Sequence, residues 1–169
     1  MTTWIIDPGH SELQFKVKHL AIANVTGRFR VFKGEVRCPE EGFDGAAVHV
    51  TLEAASIDTN NPQRDGHLAS PDFLDAVLFP EIVFVGQLYA EKLTGELSIK
   101  DVGRSVSLDV EPAGVGIGRF GDTRAGFEVR GKIDRKDFGL TFNVLAEGGG
   151  LVLGDTIALN FDIELIKSH

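Results

Sequence analysis

The sequence predicts an all-β domain of antiparallel strands, closed as a barrel or folded as a sandwich, with one short helical insert. Three observations carry this. About eight segments alternate apolar and polar residues with the period of two expected of half-buried strands. The joints between them are short and carry turn residues such as Pro8-Gly9 and Gly103. One stretch, Ile57 to Pro80, does not alternate and instead holds two helix-start signals.

Taken in order, Trp4 to Asp7 is a short apolar strand stopped by Pro8-Gly9. Leu13, Phe15 and Val17 then face one way, with Gln14, Lys16 and Lys18 opposite. On the next strand Gly27, Phe29 and Val31 share a face, and Arg28, Arg30 and Phe32 share the other. Val48, Val50 and Leu52 follow, alternating with His49, Thr51 and Glu53. Beyond the insert, Ile82-Val83-Phe84-Val85 is apolar on both faces and is expected to be covered on both. Alternation resumes through Leu93, Leu97 and Ile99, then Val106, Leu108 and Val110, then Phe127, Val129 and Ile133. The last strand is the cleanest, with Ile157, Leu159, Phe161, Ile163 and Leu165 on one face. Twenty glycines favour a barrel, because glycine permits the bends and bulges that corners need.

The insert reads as two helices in series over about 61–79. Asn61-Pro62 offers a capping side chain and the imino acid suited to the first helical position. Ser70-Pro71-Asp72 repeats the signal, and Pro80 ends the segment. Leu68, Phe73, Leu74, Val77, Leu78 and Phe79 need an apolar surface to lie against, so the insert is expected to act as a lid or plug.

A chain of 169 residues is most simply one domain, residues 1–169, with a core that needs no staples. A net charge of −8 argues against nucleic acid, which requires a basic surface. No apolar run approaches the ~20 residues of a membrane span. Cys38 is alone, so no intrachain disulfide forms. The opening residues carry neither a basic region nor a long apolar run, and a cytoplasmic location is expected.

Several motifs resemble the YceI-like, polyisoprenoid-binding family. They are Ile6-Asp7-Pro8-Gly9-His10-Ser11, Phe15-Lys16-Val17-Lys18-His19-Leu20 and Val25-Thr26-Gly27-Arg28-Phe29. Gln63-Arg64-Asp65-Gly66-His67-Leu68 is the most specific, followed by Asp72-Phe73 and Phe79-Pro80-Glu81-Ile82-Val83-Phe84. Leu93 to Ile99 and Asp134 to Leu140 complete the set, which spans nearly the whole chain in order. The resemblance implies a closed eight-stranded, lipocalin-like antiparallel barrel with an internal apolar tunnel. It also implies a long-chain amphiphile as ligand: an isoprenoid pyrophosphate, a quinone or a fatty-acid derivative. Many members are periplasmic, from which the opening of this chain departs. Glu147-Gly148-Gly149-Gly150 is a second departure, glycine-rich where an ordered loop near the barrel mouth is expected. A homodimer is implied by the resemblance alone.

For such a ligand the tail-contact candidates are Phe15, Val17, Leu20, Phe29, Leu52, Leu68, Phe73, Phe84, Phe127, Phe138, Phe142 and Phe161. The chain's twelve phenylalanines would equally pack a solid core. Arg64 and His67 are the head-group candidates, with Asp65 holding one of them or tethering the insert, and Arg135 and Asp137 as polar anchors at a strand end. No cofactor beyond a bound lipid, no catalytic set and no metal site is expected. No Gly-x-Ser-x-Gly elbow or paired-histidine helix occurs, though Asp7, His10 and His67 make a conceivable cation site. Gly114-Val115-Gly116-Ile117-Gly118 lies in strand-like sequence and opens no helix, so it cradles no phosphate. The expected function is a lipid carrier, store or sequestering protein. The rivals are an enzyme acting on the head group through His67 as acid or base, and a solid-core protein that binds a partner.

Overall fold

A computed structural model describes residues 1–39, 41–144 and 152–169. The strands are β1 (Thr2–Ile6), β2 (Glu12–His19), β3 (Ala23–Phe29), β4 (Phe32–Cys38), β5 (Ala47–Glu53), β6 (Ile57–Asp58), β7 (Glu81–Tyr89), β8 (Lys92–Ile99), β9 (Val102–Ile117), β10 (Thr123–Asp134) and β11 (Leu153–Lys167). One helix, α1 (Pro62–Ala69), lies between β6 and β7. Glu147 to Gly150 lie outside the described residues.

Eleven strands make eight staves, because three staves are broken in the middle. β1 and β2 both run antiparallel to β11, at Leu165 to Lys167 and at Leu153 to Asp162, with a 3-10 turn at Pro8–His10 between them. β3 pairs with β2, and β4 with β1, so Ala23 to Cys38 is likewise one bent stave. β5 pairs with β4 and β6 with β3, across a second 3-10 turn at Ala54–Ser56. From β5 the ladder passes through β7, β8, β9 and β10 to β11, and the β1–β11 pairing closes the ring. The molecule is a closed eight-stranded antiparallel barrel. Closure at β1–β11 pairs strand edges that an open sheet would expose.

Breaking a stave resets its alternation, which the sequence pattern alone hides. Gly27 and Phe29 face inward as expected, but Val31 is exposed and Phe32 is buried. The chain bends at Arg30 and Val31, whose N–H groups donate to the carbonyl and hydroxyl of Ser56 rather than continuing the ladder. The expectation that Ile82-Val83-Phe84-Val85 is covered on both faces fails too. Val85 is 54% exposed, because a single-layered barrel has only one inside.

The insert holds one helix rather than two. Asn61 caps α1, its Oδ1 accepting from the N–H of Arg64 at 3.1 Å, with Pro62 at the first position. After Ser70 the chain folds back as consecutive turns. Leu74 N–H donates to the carbonyl of Leu68 and Ala76 N–H to that of Ala69. Those bonds satisfy the last carbonyls of α1, and Asp75 takes a left-handed backbone (φ 50°) that no helix continues through. Phe73 and Leu74 are buried, but Val77 is 97% and Leu78 68% exposed, so only half of the insert's apolar residues turn inward.

Candidate functional site

The inward side chains do not fill the barrel. They surround a cavity of about 560 Å³, within the range of about 300–1,000 Å³ usual for small-molecule sites. Its walls are aliphatic and aromatic along their length. Among the described residues, the polar ones in the lining are His19, Thr59, Arg64, His67, Arg135 and Asn143. All six belong to the insert end: the last residue of β2, the segment leaving β6, α1, and the chain that follows β10. At the other end the described lining residues are apolar. The interior is therefore polarised along the barrel axis, greasy below and polar at the mouth.

Ten of the twelve tail candidates line this cavity. Leu20 and Phe138 do not. Leu20 sits exposed in the β2–β3 turn with a left-handed backbone, where the strand face no longer governs direction. Phe138 is fully buried beneath the 3-10 turn Arg135–Phe138, packed in the core beside the cavity rather than on its wall. The cavity removes the solid-core reading of the phenylalanines. Phe43, which sequence reasoning missed, also lines it. It belongs to the connection between β4 and β5, where no periodicity marks an inward face.

At the mouth, His67 of α1 stands edge-on to Phe73 (centroids 5.2 Å) and to Phe142 (5.0 Å), and Phe73 and Phe142 meet at 5.2 Å. These aromatic pairs link the insert to the chain after β10, each worth about 0.5–1.5 kcal/mol. The Nε2 of His67 lies 2.8 Å from Asp72 Oδ2. Asp65 holds neither Arg64 nor His67 directly. Its Oδ1 accepts from the N–H (2.8 Å) and hydroxyl of Thr59, tying α1 to the end of β6. Thr59 is buried, and its hydroxyl oxygen and carbonyl accept from Arg64 Nε (2.8 Å) and Nη2 (2.7 Å). Among the described residues no acceptor meets Arg64 Nη1, on the remaining edge of the guanidinium.

Arg135 is 2% exposed and lines the same end. Nε donates to Gly154 O (2.8 Å), Nη1 to Leu140 O (2.6 Å) and Phe142 O (2.9 Å), and Nη2 to Leu153 O (3.4 Å), with Asp155 3.6 Å away. Burial pulls its pKa down, while Asp155 and Asp134 oppose that. With its donors committed to backbone, this guanidinium positions the loop that presents Phe142. Gly139 caps the turn with a left-handed backbone (φ 74°). Asp137 does not anchor through its carboxylate: the side chain is exposed, and only its carbonyl is engaged, by Arg104 Nε at 3.0 Å.

Asp7, His10 and His67 do not assemble. Asp7 and His10 are joined instead by Glu164, with His10 Nδ1 2.7 Å from Asp7 Oδ2. A cation already stands there. Arg124 Nη1 donates to Asp7 (2.7 Å) and Glu164 (2.6 Å), and its Nε to Asp122 (2.8 Å). Glu164 and Asp7 raise the pKa of Arg124, and Arg124 foremost, then His10, holds the Asp7 carboxyl below its usual range. The cluster is an ion-pair network that pins β1 to β10 and β11.

Among the described residues no helix is long and apolar enough to cross a membrane. The model of the YceI-like domain matches residues 4–165. A UPF0312 protein of Staphylococcus aureus (strain MSSA476) is 35% identical over 171 residues, covering all of both chains. Among solved structures, the YCEI protein of Campylobacter jejuni is 33% identical and superposes with a TM-score of 0.75 over 91% of each chain. A polyisoprenoid binding domain from Saccharophagus degradans, implicated in plant cell wall breakdown, shares the fold at 14% identity, with a TM-score of 0.73 over 98% of each chain. With its family model matched from β1 to β11 and its barrel shared with these structures, the chain belongs to the YceI-like family.

Proposed function

We propose that this protein binds a long-chain amphiphilic lipid, an isoprenoid or a similar tail, and carries, stores or sequesters it. The observation behind this is the polarised cavity: among the described lining residues, an apolar interior with the polar ones at the insert end. An amphiphile matches that arrangement, tail in the barrel and head beside Arg64 and His67. The polyisoprenoid-binding description of the Saccharophagus degradans domain supports the same ligand class.

Tail burial dominates the energetics. Each buried methylene contributes about 0.8 kcal/mol, so ten contribute roughly 8 kcal/mol before association costs. A hydrogen bond to a charged group adds only about 1.5–3 kcal/mol. Affinity follows the tail, and orientation follows the head. The reading is of a binding protein, in which His67 closes the mouth rather than transferring protons.

An environment-sensitive fluorescent fatty acid tests this. Saturable uptake with a blue shift, at one probe per chain, is the expected result. No blue-shifted signal from folded protein at micromolar probe would overturn the reading.

A further inference from the structure

We infer that Phe43 is the floor of the cavity and sets the longest tail the barrel accepts; this rests on the lipid-binding reading above. The cavity reaches from His67 and Phe142 at the insert end to Phe43 and Phe127 at the other. The Phe43 ring stands between Phe127, 4.8 Å away and edge-on, and Trp4, 5.0 Å away. Phe43 and Phe127 face the cavity, whereas Trp4, buried behind Phe43, is not among its lining residues. One side chain therefore separates the void from the tryptophan that packs behind it.

The floor is also held firmly. Phe43 sits in the connection between β4 and β5, where its carbonyl accepts from Ala46 N–H at 3.0 Å. Gly45 N–H donates to Leu88 O (2.7 Å), and Leu88 N–H to Ala46 O (3.0 Å). The Asp44 carboxylate accepts from Ala90 N–H at 2.8 Å. These bonds fasten the connection to the end of β7 and the turn after it, so a tail meets a fixed ring rather than a yielding loop. Because Phe43 lies outside every strand, replacing it leaves the barrel ladders intact.

Affinity then rises about fourfold per added methylene while the tail has room, and levels off when it reaches Phe43. The test is displacement of the fluorescent fatty acid by an unbranched series from octanoate to behenate. The proteins are wild type, Phe43→Ala, Phe43→Leu and Phe43→Trp, with a thermal melt of each as the folding control. Phe43→Ala is expected to move the plateau outward by a few methylenes, each gaining about fourfold where wild type gains nothing. Phe43→Leu should fall between them, and Phe43→Trp should move the plateau inward. An unchanged plateau in all three variants, or uniform weakening at every length, overturns the assignment while leaving the lipid-binding reading in place. Wild type that takes up no fatty acid overturns that reading itself, and this inference with it.

Discussion

The ring of His67 stands edge-on to that of Phe142, their centroids 5.0 Å apart, joining the helical insert to the chain beyond β10. Seventy-five positions separate the two in sequence, and the barrel brings them together over its own mouth. The opposite end carries a similar pairing of Phe43 with Trp4. The space between is where a tail would lie.

On the proposed function, His67 should hold the mouth without setting affinity. Replacing His67 with alanine removes aromatic contacts worth about 0.5–1.5 kcal/mol each and the pair with Asp72. Lipid affinity should stay within about tenfold of wild type, because tail burial dominates, while release becomes faster. Equilibrium titration and stopped-flow dissociation of the fluorescent fatty acid check this. Loss of binding with the fold intact would place His67 at the centre of ligand recognition instead.

Arg135 should matter far more to stability than to recognition. Arg135→Ala removes the guanidinium donor from the carbonyls of Leu140, Phe142 and Gly154, while Leu153 O keeps Asn143 Nδ2 at 2.7 Å, and each buried unsatisfied group costs about 1–3 kcal/mol. A loss of about 3 kcal/mol or more, seen as a fall in Tm of roughly 6–12 °C, is the expected outcome. Arg135→Lys should rescue little of it, because an ammonium lacks the planar fork that reaches several carbonyls at once. A lysine variant as stable as wild type would show that charge alone suffices.

Acid should weaken the barrel through Asp7. Its folded pKa lies below the unfolded value of about 3.9, chiefly because Arg124 donates to it, with His10 second. The unfolded chain therefore binds the proton first. The stabilisation is complete above the unfolded pKa and is lost as pH falls through the folded one. Urea unfolding from about pH 6 down to pH 2 should show the decline starting near pH 4, and Asp7→Asn should flatten that part of the profile. An equally steep decline in the variant would assign the acid sensitivity to other carboxylates.

Gly27 keeps the upper wall open. A Cβ there would lie 2.4 Å from the Phe15 ring and 2.9 Å from the Thr59 methyl, both of which line the cavity. Gly27→Ala should drive the Phe15 ring inward, at about 1–3 kcal/mol of overpacking, and weaken long-tail binding severalfold. Adding Phe15→Leu should restore much of both. Binding by Gly27→Ala equal to wild type would mean that the ring finds another way out.

Alternation reveals barrel walls well, and the polarity of the mouth poorly. Leu159 and Phe161 announce their inward direction by period alone, because β11 is long and unbroken. Phe32 does not, since the bend at Arg30 and Val31 starts a new phase that only the partner strands reveal. Arg64 and His67 could be singled out from one dense motif, yet their partners Thr59 and Asp72 depend on how the insert folds back on itself. Phe43 is the clearest omission. It lies on a connection with no face to read, and its place on the cavity floor arises only from barrel closure.

The most direct test of the central claim is native mass spectrometry of the protein after incubation with an excess of total bacterial lipid extract, repeated after organic extraction. The expected result is one lipid per chain, a long-tailed amphiphile that survives desalting and is released by the solvent. A folded protein that keeps its unliganded mass throughout would contradict it.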